Sequence, residues 1–325
     1  MRALVTGANG FIGSHLCEHL LEQGHPVRAM VRQTSDLRWL AGLPVELARG
    51  SLEDSGSLGA AVRGVDWVFH TAASLRPRRR EDYFRVNTEG TRMLAEACIE
   101  AGVGRFVLFS SVAAAGPAAA ADRPARESDE PRPVSRYGEG KLRAERVLGE
   151  LGNRLASVIL RFPAVYGPRD RDGLTLFAAM KRGLAVEIAL HLSLVYVKDA
   201  VRAALLAAER ATRPAALYYV SDGQCYEFGE LVRVAGRQLG CRPVSVRLPR
   251  WALRVAAAIG ERLGRGGSIL NRDKVRELEQ GCWVCDPAAA CAELGFVPAY
   301  SLERGLAETI EWYEEHGWLT KTRTV

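Results

Sequence analysis

The chain has 325 residues, of which 48% are hydrophobic and 25% charged, with a formal net charge of +6 at pH 7. This size and composition allow a large buried core, and the length suits one main domain with a smaller appended one. No apolar run approaches the roughly 20 residues of a membrane span, and the first residues enter a strand at once, which leaves no room for a signal peptide, so we expect a cytoplasmic protein.

A glycine-rich segment follows the first predicted strand. Residues 3–5 are apolar, residues 6–13 read TGANGFIG, and a helical pattern runs over 14–22. Glycines allow a tight turn and a close approach of a pyrophosphate, while a helix N-terminus offers free N–H groups and a positive dipole end. The segment therefore predicts dinucleotide binding through Gly7, Asn9, Gly10, Phe11, Ile12 and Gly13.

Short β-branched runs alternate with longer helical patterns from residue 1 to about 165. This alternation predicts an α/β fold with a Rossmann-type doubly wound parallel sheet. The dinucleotide-binding domain is predicted to comprise residues 1–165 and about 187–222. A smaller C-terminal α/β substrate-binding lobe is predicted to comprise residues 166–186 and about 223–325.

A second motif, YGEGK, lies at residues 137–141, after a strand-like run that ends with Ser110 and Ser111. Residues four apart share one helix face, so Lys141 can place its ammonium near the Tyr137 phenol and favour the phenolate. A tyrosine with a pKa of about 10 needs such help to exchange protons near neutral pH. A tyrosine and lysine at this spacing are by themselves more typical of a solvated helix pair, but the glycine segment and the serines favour an active site.

Together these motifs resemble the extended short-chain dehydrogenase/reductase superfamily, in its NAD-dependent epimerase/dehydratase group, over nearly the whole chain. Residues 68–73, 86–91, 161–168 and 194–200 also match that pattern. The resemblance implies that Ser111 polarises the substrate oxygen, Tyr137 moves the hydroxyl proton, and Lys141 lowers the tyrosine pKa and binds the nicotinamide ribose. It implies that Asn87 supports the lysine, and that further cofactor contacts come from Thr71, Ala72, Ala73, Ser110, Pro163 and Val165.

The end of the second predicted strand bears on the choice of cofactor. An acidic residue there would accept hydrogen bonds from the adenosine ribose and repel a 2′-phosphate. Val31 occupies that position and Arg32 follows, so NADP(H) is favoured and NAD(H) stays possible. Ser51 stands where relatives usually carry an aspartate that holds the adenine amine, which leaves the adenine to backbone groups and Leu52.

Three reactions share the hydride transfer at a carbinol or carbonyl carbon that the resemblance implies: net redox, epimerisation through a transient ketone, and dehydration. Dehydration needs a further acid and base, whereas Val112 and Ala113 follow Ser111. Nucleotide-sugar epimerases usually carry an arginine before the strand at 194–197, whereas this chain has Leu192 and Ser193. Residues 110–117 resemble the 3β-hydroxysteroid dehydrogenase and dihydroflavonol reductase branch, and the C-terminal region resembles hopanoid-associated sugar epimerases.

We therefore expect an NAD(P)-dependent oxidoreductase acting on a small substrate that is not strongly anionic. One alternative is a nucleotide-sugar epimerase with tightly bound NAD, and a second is a non-catalytic dinucleotide-sensing module. The family resemblance also makes a homodimer plausible, through the helices predicted at residues 89–101 and 138–151.

Other features favour ordinary structural explanations. The arginines are spread along the chain without an aromatic platform, so nucleic-acid binding is not expected, and the run at residues 76–80 favours a solvated loop over an anion-attracting one. The amphipathic stretch at 249–265 favours packing on the protein's own core over membrane contact. The seven cysteines are predicted to be reduced thiols, and Cys282 and Cys285 lack the partners of a tetrahedral site, so no metal is expected.

Overall fold

The structure is a computed structural model that describes residues 1–75, 81–247 and 272–320. The basic run at 76–80 and the amphipathic stretch at 249–265 lie outside these residues. Within them, no helix combines the length and apolar character needed to cross a membrane.

The strands are, in chain order, β1 (Ala3–Thr6), β2 (Val27–Val31), β3 (Glu46–Arg49), β4 (Trp67–His70), β5 (Arg105–Ser111), β6 (Ser157–Phe162), β7 (Ala164–Tyr166), β8 (Leu184–Glu187), β9 (His191–Leu192), β10 (Leu194–Tyr196), β11 (Ala216–Tyr219), β12 (Tyr226–Glu227), β13 (Val244–Arg247) and β14 (Cys282–Trp283). The α-helices are α1 (Phe11–Glu22), α2 (Ser55–Val62), α3 (Asp82–Phe84), α4 (Gly90–Ala101), α5 (Val112–Ala115), α6 (Arg136–Leu151), α7 (Arg171–Lys181), α8 (Val197–Arg210), α9 (Phe228–Gln238), α10 (Arg272–Gln280), α11 (Ala288–Leu294) and α12 (Leu302–Glu315). A π-helical turn, Arg85–Glu89, leads into α4, and a 3₁₀ turn, Gly152–Arg154, follows α6.

The centre of the fold is a seven-stranded sheet in the order β11-β6-β5-β4-β1-β2-β3, with every neighbouring pair parallel. Strands β1, β2, β4 and β6 are buried along their whole length, because helices cover both faces of the sheet and separate apolar clusters fill the two sides. The predicted α/β fold with a doubly wound parallel sheet is confirmed.

The strand order reverses between β1 and β4: β2 and β3 are added on one side of β1, and β4 and the later strands on the other. β1 and β4 are therefore adjacent in space but far apart in sequence. At such a switch point the loops after the two strands diverge and leave a crevice at the carboxyl edge of the sheet. The glycine segment after β1 and residues 71–75 after β4 border this crevice.

Smaller sheets lie outside the central one: β10 with β7, β12-β9-β14, and β13 with β8. They share a third apolar cluster with α7, α9 and α12, which includes Phe177, Leu192, Leu306 and Tyr313. The predicted division into a dinucleotide domain and a substrate lobe stays a prediction, although this separate cluster agrees with it.

Candidate active site

The glycine segment forms a close-packed turn between β1 and α1. Gly7 has a φ of 67°, in the left-handed region that favours glycine. A Cβ on Gly13 would lie 2.2 Å from the Gly7 carbonyl oxygen, and one on Gly7 would lie 2.9 Å from the Cα of Ala72. Gly10 is the N-cap of α1 and has no side chain to cover the first turn. The turn thus exposes backbone N–H groups of a helix start, the arrangement that suits a pyrophosphate.

The loop after β4 is tied to this turn through Thr6. The Thr71 hydroxyl donates to the Thr6 carbonyl at 2.6 Å, and the Ala72 N–H donates to the Thr6 hydroxyl at 3.3 Å. Thr71, Ala72 and Ala73 are each half-buried. The structure therefore brings two separately predicted groups of cofactor contacts to one edge of the sheet.

A buried polar chain that the sequence analysis missed continues from there. His70, the last residue of β4, hydrogen-bonds to the Thr6 hydroxyl at 2.8 Å and to the Thr91 hydroxyl at 3.0 Å. Burial lowers the pKa of His70 to about 3, so its ring is neutral. Through its two hydrogen bonds the ring links β1 to α4. A histidine ending an otherwise apolar strand was the available signal.

Ser111, Tyr137 and Lys141 lie together at the carboxyl end of β5 and the start of α6. Ser111 ends β5, and Tyr137 sits in the first turn of α6 and shares a hydrogen bond with Ser111. Lys141, one turn further on, is 3% exposed and donates from Nζ to the carbonyl of Phe109 at 2.7 Å. Burial lowers the pKa of Lys141 to about 8.

The pKa of Tyr137 is raised in this structure, mainly by burial and to a smaller extent by the negative charge of Glu277. The hydrogen bond with Ser111 lowers the pKa and offsets part of this rise. The Lys141 ammonium donates to the backbone carbonyl of Phe109 in this structure, and the expectation that it favours the Tyr137 phenolate stays a prediction. Tyr137 is therefore a protonated phenol at neutral pH, ready to donate its proton.

Asn87 lies in the π-helical turn beside α6 and is 2% exposed. Its side-chain amide accepts from the Ser74 N–H at 2.7 Å and donates to the Ser74 carbonyl at 3.1 Å. The neighbouring Thr88 hydroxyl donates to the carbonyl of Gly140 at 3.2 Å. Asn87 thus holds the loop after β4, and its turn holds the helix that carries Lys141; a direct role toward the lysine stays a prediction.

The hydroxyl of Ser110 lies in a buried polar network, and the predicted contact of Ser110 with the cofactor stays a prediction. It donates to Glu145 at 2.5 Å, and Glu145 forms a two-point ion pair with Arg161 at 2.6 and 3.0 Å. Arg161 also donates to the Tyr219 hydroxyl at 2.9 Å. Ser110, Glu145 and Arg161 are each at most 5% exposed. Ser110 therefore belongs to a buried network behind the active site, since its hydroxyl is engaged there.

The adenosine end of the crevice shows two guanidiniums. Val31 pairs with Arg49 across β2 and β3, and Arg49 donates to the Arg32 carbonyl at 3.1 Å, so the exposed side chains of Arg32 and Arg49 are neighbours. Sequence reasoning missed Arg49, because only the strand register brings it there. Half-buried Ser51 follows β3, and Leu52 is 8% exposed and packs on Gly90. Pro163 is buried and Val165 half-buried.

Glu277 is a second residue that the sequence analysis missed. It lies on α10, accepts from the hydroxyl of Ser135 at 2.7 Å, and its side chain is 12% exposed. The same Ser135 hydroxyl accepts from the Gly138 N–H at 3.0 Å and so caps α6. The carboxylate of Glu277 therefore lies beside the first turn of the helix that presents Tyr137.

We expect Glu277→Gln to lower the pKa of Tyr137 relative to the wild-type protein, because the substitution removes a negative charge that disfavours the phenolate. In the direction that uses Tyr137 as a proton donor, the alkaline limb of the pH profile of kcat/KM should move to lower pH. Glu150→Gln, in an exposed ion pair with Arg92, is the matched control and should leave the profile in place. An unchanged profile in Glu277→Gln would mean that the carboxylate does not act on the tyrosine.

Comparisons with known proteins show what this chain is similar to as a whole. The sequence model of the NAD dependent epimerase/dehydratase family matches residues 3–220. Ceramide reductase of Caulobacter vibrioides is 31% identical over 98% of this chain and 96% of its own length. Sterol demethylase protein B of Methylococcus capsulatus is 31% identical over 98% and 100%. The solved structure of MoeE5 in complex with UDP-glucuronic acid and NAD is 31% identical over 97% and 100%, with a TM-score of 0.77.

Proposed function

The chain belongs to the NAD-dependent epimerase/dehydratase family, and from this premise we propose that it is an NADP(H)-favouring reductase or dehydrogenase of a small, weakly polar alcohol or ketone. As a member of the extended short-chain dehydrogenase/reductase type it is an enzyme, and the family's nicotinamide dinucleotide fits the glycine turn, which exposes the N–H groups of a helix start and is so closely packed that a Cβ on Gly7 or Gly13 would collide with backbone atoms. When bound, that cofactor supplies or accepts the hydride.

The observation that carries the proposal is the pairing of Ser111 with a protonated, half-buried Tyr137. In reduction, the Ser111 hydroxyl polarises the substrate carbonyl, and Tyr137 gives its proton to the oxygen as the carbon gains a hydride. In oxidation the same proton returns from the substrate hydroxyl to Tyr137.

Two local features support net redox on a weakly polar substrate. Val112 and Ala113, which follow Ser111, are apolar and at most 9% exposed, so they provide no acid and base for dehydration. Leu192 and Ser193, at the position where sugar-nucleotide enzymes usually carry an arginine, are at most 8% exposed and belong to the lobe interior. Two relatives with matches over nearly their whole length are named for reactions on a ceramide and a sterol, which are apolar molecules.

A nucleotide-sugar epimerase is the second candidate, favoured by the match to MoeE5 with its UDP-glucuronic acid and NAD. Purified protein mixed with NADPH and either a ketone-bearing sphingoid or sterol, or with a UDP-sugar, separates the two. Net loss of NADPH absorbance with the apolar ketone supports the proposal. Isomerisation of the UDP-sugar without net absorbance change, on protein that retains NAD through purification, would establish the epimerase instead. A sensing module would bind dinucleotide and turn over neither.

We expect Arg32→Asp to weaken NADPH binding by about 10- to 100-fold, the loss of a charge-assisted contact to the 2′-phosphate, and to weaken NADH binding far less. Fluorescence titration with both dinucleotides measures the ratio. Arg63→Asp carries the same charge change on an exposed residue before β4, at the opposite edge of the sheet, and should leave the ratio unchanged. Equal effects of Arg32→Asp on the two cofactors would remove the argument for NADP(H).

A further inference from the structure

The β8/β13 ribbon, formed by Leu184–Glu187 and Val244–Arg247, presents an apolar face to the outside. The two strands are parallel, with Leu184 opposite Val244 and Val186 opposite Val246. Side chains alternate between the two faces of a strand, so these four share one face, and they are 57%, 67%, 37% and 41% exposed in that order. Ala185, on the other face, is 2% exposed and joins the apolar cluster of the lobe.

This clustering is unusual for an exposed surface. The strongly exposed large apolar side chains among the described residues number eight, and half of them lie on this one ribbon face. Single exposed apolar residues need no explanation, whereas a contiguous patch with a polar rim marks an interaction surface. The ribbon is therefore a candidate docking face.

Two exposed arginines lie at one end of that face and form its arginine rim. Arg182 and Arg242 precede the two strands, which meet where the Val244 N–H donates to the Gly183 carbonyl at 2.9 Å. Within the described parts of the chain, neither guanidinium makes an ion pair or hydrogen bond. The charge of this rim suits an anionic surface.

We propose that the exposed face of the β8/β13 ribbon, with its arginine rim, docks onto a lipid bilayer that contains anionic lipids. The valine and leucine side chains enter the boundary between headgroups and acyl chains, while the arginines meet lipid phosphates. The sequence pattern of residues 249–265 favours core packing over membrane contact. The ribbon is a separate observation, and it favours membrane contact. Direct access to an apolar substrate in the bilayer is a consequence that rests on the proposed function, but the docking itself does not.

The test uses the full chain and vesicles of phosphatidylcholine with or without phosphatidylglycerol, in a flotation assay. We expect binding to the anionic vesicles that weakens as salt is added. The Val244→Asp, Val246→Asp double variant should bind at least tenfold more weakly, because it places charges on the inserting face. Arg182→Glu, Arg242→Glu should lose about fivefold or more per arginine on anionic vesicles only.

The control variant is Val297→Asp, since Val297 is 70% exposed and lies outside the ribbon; it should float like the wild type. Unfolding temperature and NADPH binding of every variant show that the fold is kept. The proposal is overturned if the wild type does not float with anionic vesicles, or if the ribbon variants float unchanged. Two further measurements identify what covers the face if the wild type does not bind vesicles. Dissociation of a dimer by the valine substitutions, seen in sedimentation velocity, would mean that a second copy covers it. A strongly lowered unfolding temperature would mean that the chain itself covers it.

Discussion

Tyr137→Phe is expected to reduce kcat by about 100- to 10,000-fold, the usual contribution of a positioned general acid. The substitution removes the phenol proton that Tyr137 would give to the substrate oxygen, and it leaves the aromatic ring in place. NADPH affinity should change little, because the glycine turn and the adenosine end of the crevice are untouched. Turnover is followed by NADPH absorbance, and binding by fluorescence titration.

The matched control for this variant is Tyr218→Phe. Tyr218 lies on β11 and donates to Glu293 at 2.7 Å, so the change removes a phenol hydroxyl from another part of the fold. Tyr218→Phe should keep its kcat. Turnover of the Tyr137→Phe variant at the wild-type rate would refute the role of the tyrosine and, with it, the proposed mechanism.

Glu145→Ala is expected to destabilise the protein by about 3–5 kcal/mol, because it leaves the buried Arg161 guanidinium without its carboxylate. Both side chains are at most 5% exposed, so water cannot solvate the guanidinium in place of the lost carboxylate. Denaturant unfolding measures the change in the free energy of unfolding. The double variant Glu145→Leu, Arg161→Met should recover much of that loss, since it removes both charges.

The exposed ion pair of Arg92 with Glu150 provides the comparison, because it joins α4 to the same helix, α6. Glu150→Ala should cost at most about 1 kcal/mol, as exposed pairs do. A similar small loss in Glu145→Ala would show that the buried network does not stabilise the fold. Glu145 also raises the pKa of Lys141, so the variant should lower that pKa further below its ordinary value.

The parts of the candidate site whose positions follow from the sequence are local in the chain. The glycine turn connects one strand to the next helix, and Tyr137 and Lys141 are one helical turn apart, so spacing alone places these residues. The helix is longer than predicted, starting at Arg136 instead of 138, because Ser135 caps it and includes Tyr137 in its first turn. The homodimer predicted through α4 and α6 stays a prediction.

The remaining features depend on pairings between distant segments, which a linear pattern does not specify. Arg49 reaches Arg32 only because β3 pairs with β2 in one register, and a shift of one residue would point it to the other face. Glu277 reaches the start of α6 across 142 residues of sequence, and the Ser110 hydroxyl reaches Glu145 because β5 and α6 pack together. The sequence by itself determined the fold class, through short-range periodicity, and the family resemblance gave Ser111, Tyr137 and Lys141 their predicted roles. Only the tertiary structure decided the directions of the pKa shifts at Tyr137 and Lys141, because burial and distant charges set them.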